Sequence, residues 1–135
     1  LAEAKLSPEL KNEALYYRAK AYKNQKADKK ALDDFRKLAK DTRNSYGAEA
    51  KYQVAQALYD AKEYAAAEKE LLNYIEQSTP HAYWLARSFV LLSDVYVAMG
   101  KDLDARQYLL SLQQNYQGND DIESMIEDRL KKLNK

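Results

Sequence analysis

Apolar residues recur along the chain at spacings of three and four, the period of a helix with one buried face. The chain is organised around residues 48–80, where the pattern breaks once, near Lys62 and Glu63, and so predicts two helices. Small residues fall where those helices would touch, Ala55 on the first and Ala67 on the second. The same unit lies on either side. Ala19, Ala55 and Ser93 stand 36 and 38 residues apart, and Ala31, Ala67 and Ala105 follow the same two intervals. A repeat of this length made of paired helices marks a helical solenoid.

The element boundaries follow from capping chemistry. Ser7, Pro8 and Glu9 form a start signal: a capping hydroxyl, then Pro in the first turn, then an acid at the positive helix end. That helix is predicted to run to Asn24, with Leu15, Ala19 and Tyr22 on one face. Asp28 is expected to cap its partner, which carries Ala31, Leu32, Phe35 and Leu38 inward and ends near Asp41. Residues 44–47 read as a turn. Thr79 and Pro80 repeat the first start signal ahead of a helix over 81–99. Leu85, Phe89, Leu92 and Tyr96 share one side of it, and Val90, Leu91, Val95 and Val97 widen the apolar surface nearly all round. Such a helix is buried on most sides or binds something. Gly100 closes it, and Leu103, Ala105, Leu109 and Leu112 mark the next. A last helix over about 120–134, capped by Asp120 or Asp121, has the stripe Ile122, Met125, Ile126, Leu130 and Leu133 and a charged opposite face. An end helix of this kind shields a stack. Residues 1–6 are expected to be the stub of a preceding helix. The expectation is an all-α chain, one domain over 1–135, with helix pairs at about 8–43, 44–79 and 80–117 and a C-terminal capping helix.

Composition narrows the function more by exclusion. The 135 residues carry a net charge of +1, which makes no global field for nucleic acid. Residues 1–45 hold twelve Lys/Arg against seven Asp/Glu and the remainder ten against fourteen, a modest asymmetry of solvated helix faces. There is no Cys, so disulfides and thiolate metal sites are excluded. No apolar run is long enough to span a membrane, and insertion is not expected. His81 has no second His or Cys to make a metal site with, no Gly-rich phosphate loop exists, and the carboxylates are dispersed among lysines without an acid–base pair. No enzyme activity, metal or cofactor is expected.

The segment Ser93 to Gly100 followed by Ala105 has the pattern small-x-x-Tyr-x-x-x-Gly-x-x-x-x-Ala, preceded by Phe89 and Leu92 at large positions. Ala55, Leu58, Tyr64, Ala67 and Leu71 take the equivalent places in the middle unit, and Leu15, Ala19, Tyr22, Ala31 and Phe35 in the first. On these residues the chain resembles the tetratricopeptide repeats (TPR), a family of helix pairs. It departs from that pattern at Arg18 and Lys51, where large apolar residues are usual, and in the length of its repeats. The resemblance implies a right-handed α–α superhelix whose first helices line a concave groove. It also implies a protein-interaction scaffold, part of a longer repeat array. The chain looks similar to the C-terminal end of long bacterial cell-envelope proteins of this family, which implies the periplasm or cell envelope, with the cytoplasm as the alternative. Carried onto this sequence, the groove comprises Tyr16, Tyr17, Lys20, Asn24, Tyr52, Gln53, Gln56, Tyr59, Arg87, Val90, Leu91 and Asp94. Tyr16, Tyr17, Tyr52 and Tyr59 are expected to be partly exposed there. The family's carboxylate-clamp subclass is not expected: Asn24 matches one of its positions, but Tyr16 and Lys20 stand at two others where it has Lys and Asn. The implied occupant is a protein or peptide segment, with self-association compatible. A helical-repeat RNA-binding module is the alternative.

Overall fold

In a computed structural model of the chain, which describes residues 7–77, 80–118 and 120–133, seven α-helices follow one another and no strand occurs among those residues. They are α1 (Pro8–Asn24), α2 (Asp28–Leu38), α3 (Ser45–Asp60), α4 (Tyr64–Glu76), α5 (Ala82–Ala98), α6 (Asp102–Asn115) and α7 (Ile122–Leu133). The expected stub at 1–6 and the capping hydroxyl of Thr79 lie outside the described residues.

Ser7 caps α1 as its chemistry dictates, its hydroxyl accepting from Leu10 N at 3.2 Å. Other starts differ from expectation. Asp28 lies inside α2, whose cap position is Ala27, without a side-chain bond. Residues 45–47 are the first turn of α3, not a loop, because the Asn44 side chain accepts from Gly47 N at 2.8 Å and starts the helix there. Pro80 precedes α5 by two residues, and His81 holds its cap position. The last helix starts at Ile122, whose N–H donates to Asp120 Oδ1 at 3.0 Å.

The three turns inside the helix pairs are one structure used three times. Lys26, Lys62 and Gly100 all have left-handed backbone, at φ of 62°, 64° and 76°. After each, an N–H donates across the helix end: Ala27 to Tyr22, Glu63 to Leu58 and Lys101 to Tyr96, at 2.8, 2.9 and 2.7 Å. The left-handed residue itself donates to Lys23, Tyr59 and Val97 respectively. This is the Schellman closure, which satisfies carbonyls that a helix end would leave bare. Glycine suits the left-handed position, whereas a side chain there costs about 1–2 kcal/mol. Lys26→Gly and Lys62→Gly are therefore each expected to stabilise by about 0.5–1 kcal/mol, glycine's greater freedom in the unfolded chain taking back part of the gain. Denaturant midpoints measure this. A lowered midpoint would mean that the lysine side chains make contacts outweighing the strain.

Each helix packs on the next in sequence, and α1 also packs on α3, α3 on α5, and α5 on α7. No two even-numbered helices approach within 8 Å between Cα atoms among the described residues. The odd helices thus form a continuous layer and the even ones stand apart behind it. The small residues occupy the contacts between the layers: Ala19, Ala55, Ala67 and Ala105 are fully buried and Ala31 and Ser93 nearly so. Phe35 and Leu71 belong to the same core, and Leu109 to a second one with Ala86, Val90, Leu112, Ile122 and Ile126. Leu103 does not join this core and is 81% exposed.

The two departures from apolar patterning become ion pairs between the helices of a pair. Arg18 makes a bidentate pair with buried Asp34, at 2.8 and 2.7 Å. Buried Lys51 meets Glu70 at 2.8 Å. Asp34, Glu70 and Tyr108 follow the 36- and 38-residue intervals. In the third pair Tyr108 meets an aromatic instead, Phe89, with ring centroids 5.8 Å apart. A charge on one helix is matched by its opposite on the other, and a ring by a ring, so neither Asp34 nor Lys51 is buried without its counter-charge.

Candidate interaction face

On α3, Glu49, Gln53, Gln56 and Asp60 share a face at spacings of four, three and four, away from Ala55, which meets the partner helix. Glu13, Tyr17, Lys20 and Asn24 are the matching set on α1, and Arg87, Leu91 and Asp94 on α5. Of the expected groove residues, Tyr17 is 60% exposed and Asn24 is exposed. Tyr16, Lys20, Gln53, Gln56, Tyr59, Arg87 and Asp94 are half-buried. Tyr52, Val90 and Leu91 are buried, against expectation. Tyr52 is covered because Arg87 reaches across from α5 and lies over its ring. Val90 packs with Ala86, Leu109, Ile122 and Ile126, and Leu91 with the main core, because α5 has neighbours on nearly every side.

Polar contacts join each odd helix to the next. Glu49 accepts from the Tyr16 hydroxyl at 2.8 Å and pairs with Lys20 at 2.6 Å, tying α1 to α3. Lys23 Nζ donates to Gln53 Oε1 at 2.7 Å. Arg87 donates to the Tyr52 hydroxyl at 3.0 Å, tying α3 to α5. Arg129 makes a bidentate pair with Asp94 at 2.8 and 3.0 Å, tying α5 to α7. Burial raises the Tyr16 phenol above its ordinary pKa, and its bond to Glu49 adds to this. Burial works against the Lys20 cation, but its bond and attraction to Glu49 prevail and hold its pKa up. Tyr59 is raised by burial and then by the Asp94 charge. Tyr16 and Tyr59 therefore stay neutral and Lys20 stays charged near neutral pH.

A cleft of about 400 Å³ opens beside this network, between α2 and the C-terminal halves of α1 and α3. Its floor is Leu32, Phe35 and Ala57, and its rim includes Lys23, Gln53 and Gln56. Asp28 stands at its edge. In the second pair the residue at the same interval is Tyr64, whose ring lies on Tyr59 with centroids 5.6 Å apart.

Tyr83, Trp84 and Arg129 were not among the residues expected here, and all three contribute to the face. Arg129 gave a signal in the sequence: it interrupts the inward stripe of α7 four residues after Met125. Its Nη1 also donates to the Met125 carbonyl at 3.2 Å.

His81 Nε2 lies 2.7 Å from the Arg43 carbonyl, an oxygen that only accepts, so that nitrogen carries the proton. No group of three or more His, Cys, Asp or Glu placed to hold a metal occurs among the described residues. No helix among them is long and apolar enough to cross a membrane. No family model matches the chain, and no curated protein matches it either.

Proposed function

We propose that this chain is a TPR-like interaction scaffold, a section of a longer array of stacked helix pairs, which holds a protein segment on the face of α1, α3 and α5. The observation that carries the reading is the closeness of the odd helices and the separation of the even ones. Packing of that kind bends a stack toward its odd side, so the free odd face is the concave one, as in a right-handed superhelix of this type. Exposed Tyr17, Lys23 and Asn24 stand on that face, next to a cleft with an apolar floor and a polar rim. Tyrosine gives a large, stiff contact, and an apolar cleft takes the side chain that anchors a partner. The array reading has separate support. Leu10, Ala14 and Ala21 form an exposed apolar stripe along α1. At the same intervals, Tyr46, Ala50 and Ala57 lie on α3, and Trp84, Ser88 and Val95 on α5. Those two sets are buried or half-buried where α3 and α5 pack on the preceding pair.

The test replaces Tyr17 and Lys23 together by Ala and compares capture of partners from a lysate of the source cells. Both side chains are exposed, so the thermal melt is expected to stay near that of the wild type. Capture is expected to weaken by about 2 kcal/mol, roughly 30-fold, if Tyr17 is a contact anchor. Unchanged capture by the folded variant would remove this face as the contact surface.

A further inference from the structure

Arg87 is held in an unusual way for a half-buried cation. Its guanidinium carbon lies 4.9 Å from the Tyr52 ring centroid, 5.8 Å from Tyr83 and 5.9 Å from Trp84. The rings also brace one another: Tyr52 and Trp84 stand 5.7 Å apart, and Tyr83 and Trp84 5.1 Å in an edge contact. Two of its N–H groups donate to phenols, Nη1 to Tyr83 at 2.9 Å and Nη2 to Tyr52 at 3.0 Å. Both hydroxyls pass their own protons outward, Tyr52 to Gln56 Oε1 at 3.1 Å and Tyr83 to Asp121 Oδ1 at 3.0 Å.

What the box lacks is a counter-ion. Three other arginines of the chain have a direct carboxylate: Arg18 has Asp34, Arg43 has Asp41 and Arg129 has Asp94. Arg87 makes no ion pair among the described residues, and the nearest acid in its network, Asp121, is one hydroxyl removed. A guanidinium has five donors in a fixed fork, and only two are used here. Three rings within 6 Å add cation–π attraction that holds the guanidinium in place, and a charge-assisted pair at its remaining N–H groups is stronger than a neutral one. The bidentate match for an open guanidinium edge is a carboxylate.

We propose that Arg87, framed by Tyr52, Tyr83 and Trp84, is the anchoring site for a carboxylate of the bound protein segment. The proposal rests on the reading of this face as the segment-binding surface, and names the chemistry that reading leaves open. A carboxylate reaches the site from an acidic side chain or from a chain terminus, and the probes separate the two.

Three N-acetylated alanine hexapeptides serve as probes. One has a single glutamate and an amidated end, one is all alanine with a free C-terminus, and one is all alanine and amidated. Each is titrated into the isotope-labelled protein, and the Arg87 Nε–H resonance, identified by its loss in Arg87→Lys, is followed. One or both carboxylate peptides are expected to shift that resonance saturably, and the neutral peptide is not. Which of the two acts identifies the source. Affinity is expected to fall about tenfold or more in Arg87→Gln. An Arg87 signal unmoved by all three peptides, an equal response to the neutral one, or unchanged affinity in Arg87→Gln overturns the proposal. The wild-type titration decides even if Arg87→Gln fails to fold. Shifts at Tyr17, Lys23 and Gln56 that persist in Arg87→Gln would leave the binding face standing while removing Arg87 from it. A shift at Arg87, with capture indifferent to Tyr17 and Lys23, would do the reverse.

Discussion

Gly47→Ala is expected to destabilise the protein by about 3 kcal/mol or more, although alanine is the better helix former by about 1 kcal/mol. Gly47 lies in the first turn of α3, where the start of that helix presses on the end of α2. A Cβ there would overlap the Asp41 carbonyl oxygen, and would stand only 2.7 Å from the Asp41 carbonyl carbon and 2.8 Å from the Leu38 oxygen. All three are backbone atoms and cannot rotate away. The backbone is also anchored from both sides: Gly47 N donates to Asn44 Oδ1, and Asn44 Nδ2 donates to the Asp41 carbonyl at 3.1 Å. The sign of the change therefore separates two physical terms, propensity and close approach. Urea unfolding measures it. A midpoint equal to or above that of the wild type would show that the α2–α3 junction can open without cost.

The second large effect is expected at Leu92→Ala. Leu92 is fully buried on α5, the helix that packs against α3, α4, α6 and α7. Truncating such a side chain costs about 2–5 kcal/mol, the spread reflecting how far the cavity collapses. The loss should be unevenly distributed. Helices α1 and α2 make no backbone contact with α5. Amide exchange is expected to show protection falling in α5, α6 and α7 while α1 and α2 keep most of theirs. Uniform loss across all seven helices would mean that the chain unfolds as one cooperative unit.

The sequence pattern revealed the helices and the alanines between them because both are local. Ala19, Ala55 and Ala67 recur at fixed intervals, and helical periodicity needs no knowledge of neighbours. Two things were hidden for two different reasons. The left-handed turns were visible only at Gly100, the one place where the residue type matches the conformation. Lys26 and Lys62 adopt it because the surrounding helix pair imposes it, and their identity gives no hint. The fate of the groove residues was hidden because it depends on partners roughly 35 residues away. Tyr52 would be a surface tyrosine on α3 alone, and it is buried by Arg87 of α5. Val90 and Leu91 have the apolar character of a binding surface or of a core, and only the helices beside α5 decide between them. Lys51 and Arg18 are the converse, charged residues at apolar positions whose acids, Glu70 and Asp34, lie on the partner helices.

Among the described residues, no helix comes within 8 Å between Cα atoms of a helix more than two places along. A pull applied to its two ends would therefore meet a series of short links and not a single clasp. Each helix pair that gave way would free about 36 residues, on the order of 12 nm of extended chain, while the pairs beyond it kept their own contacts. Such a molecule would lengthen in steps under tension, one helix pair at a time.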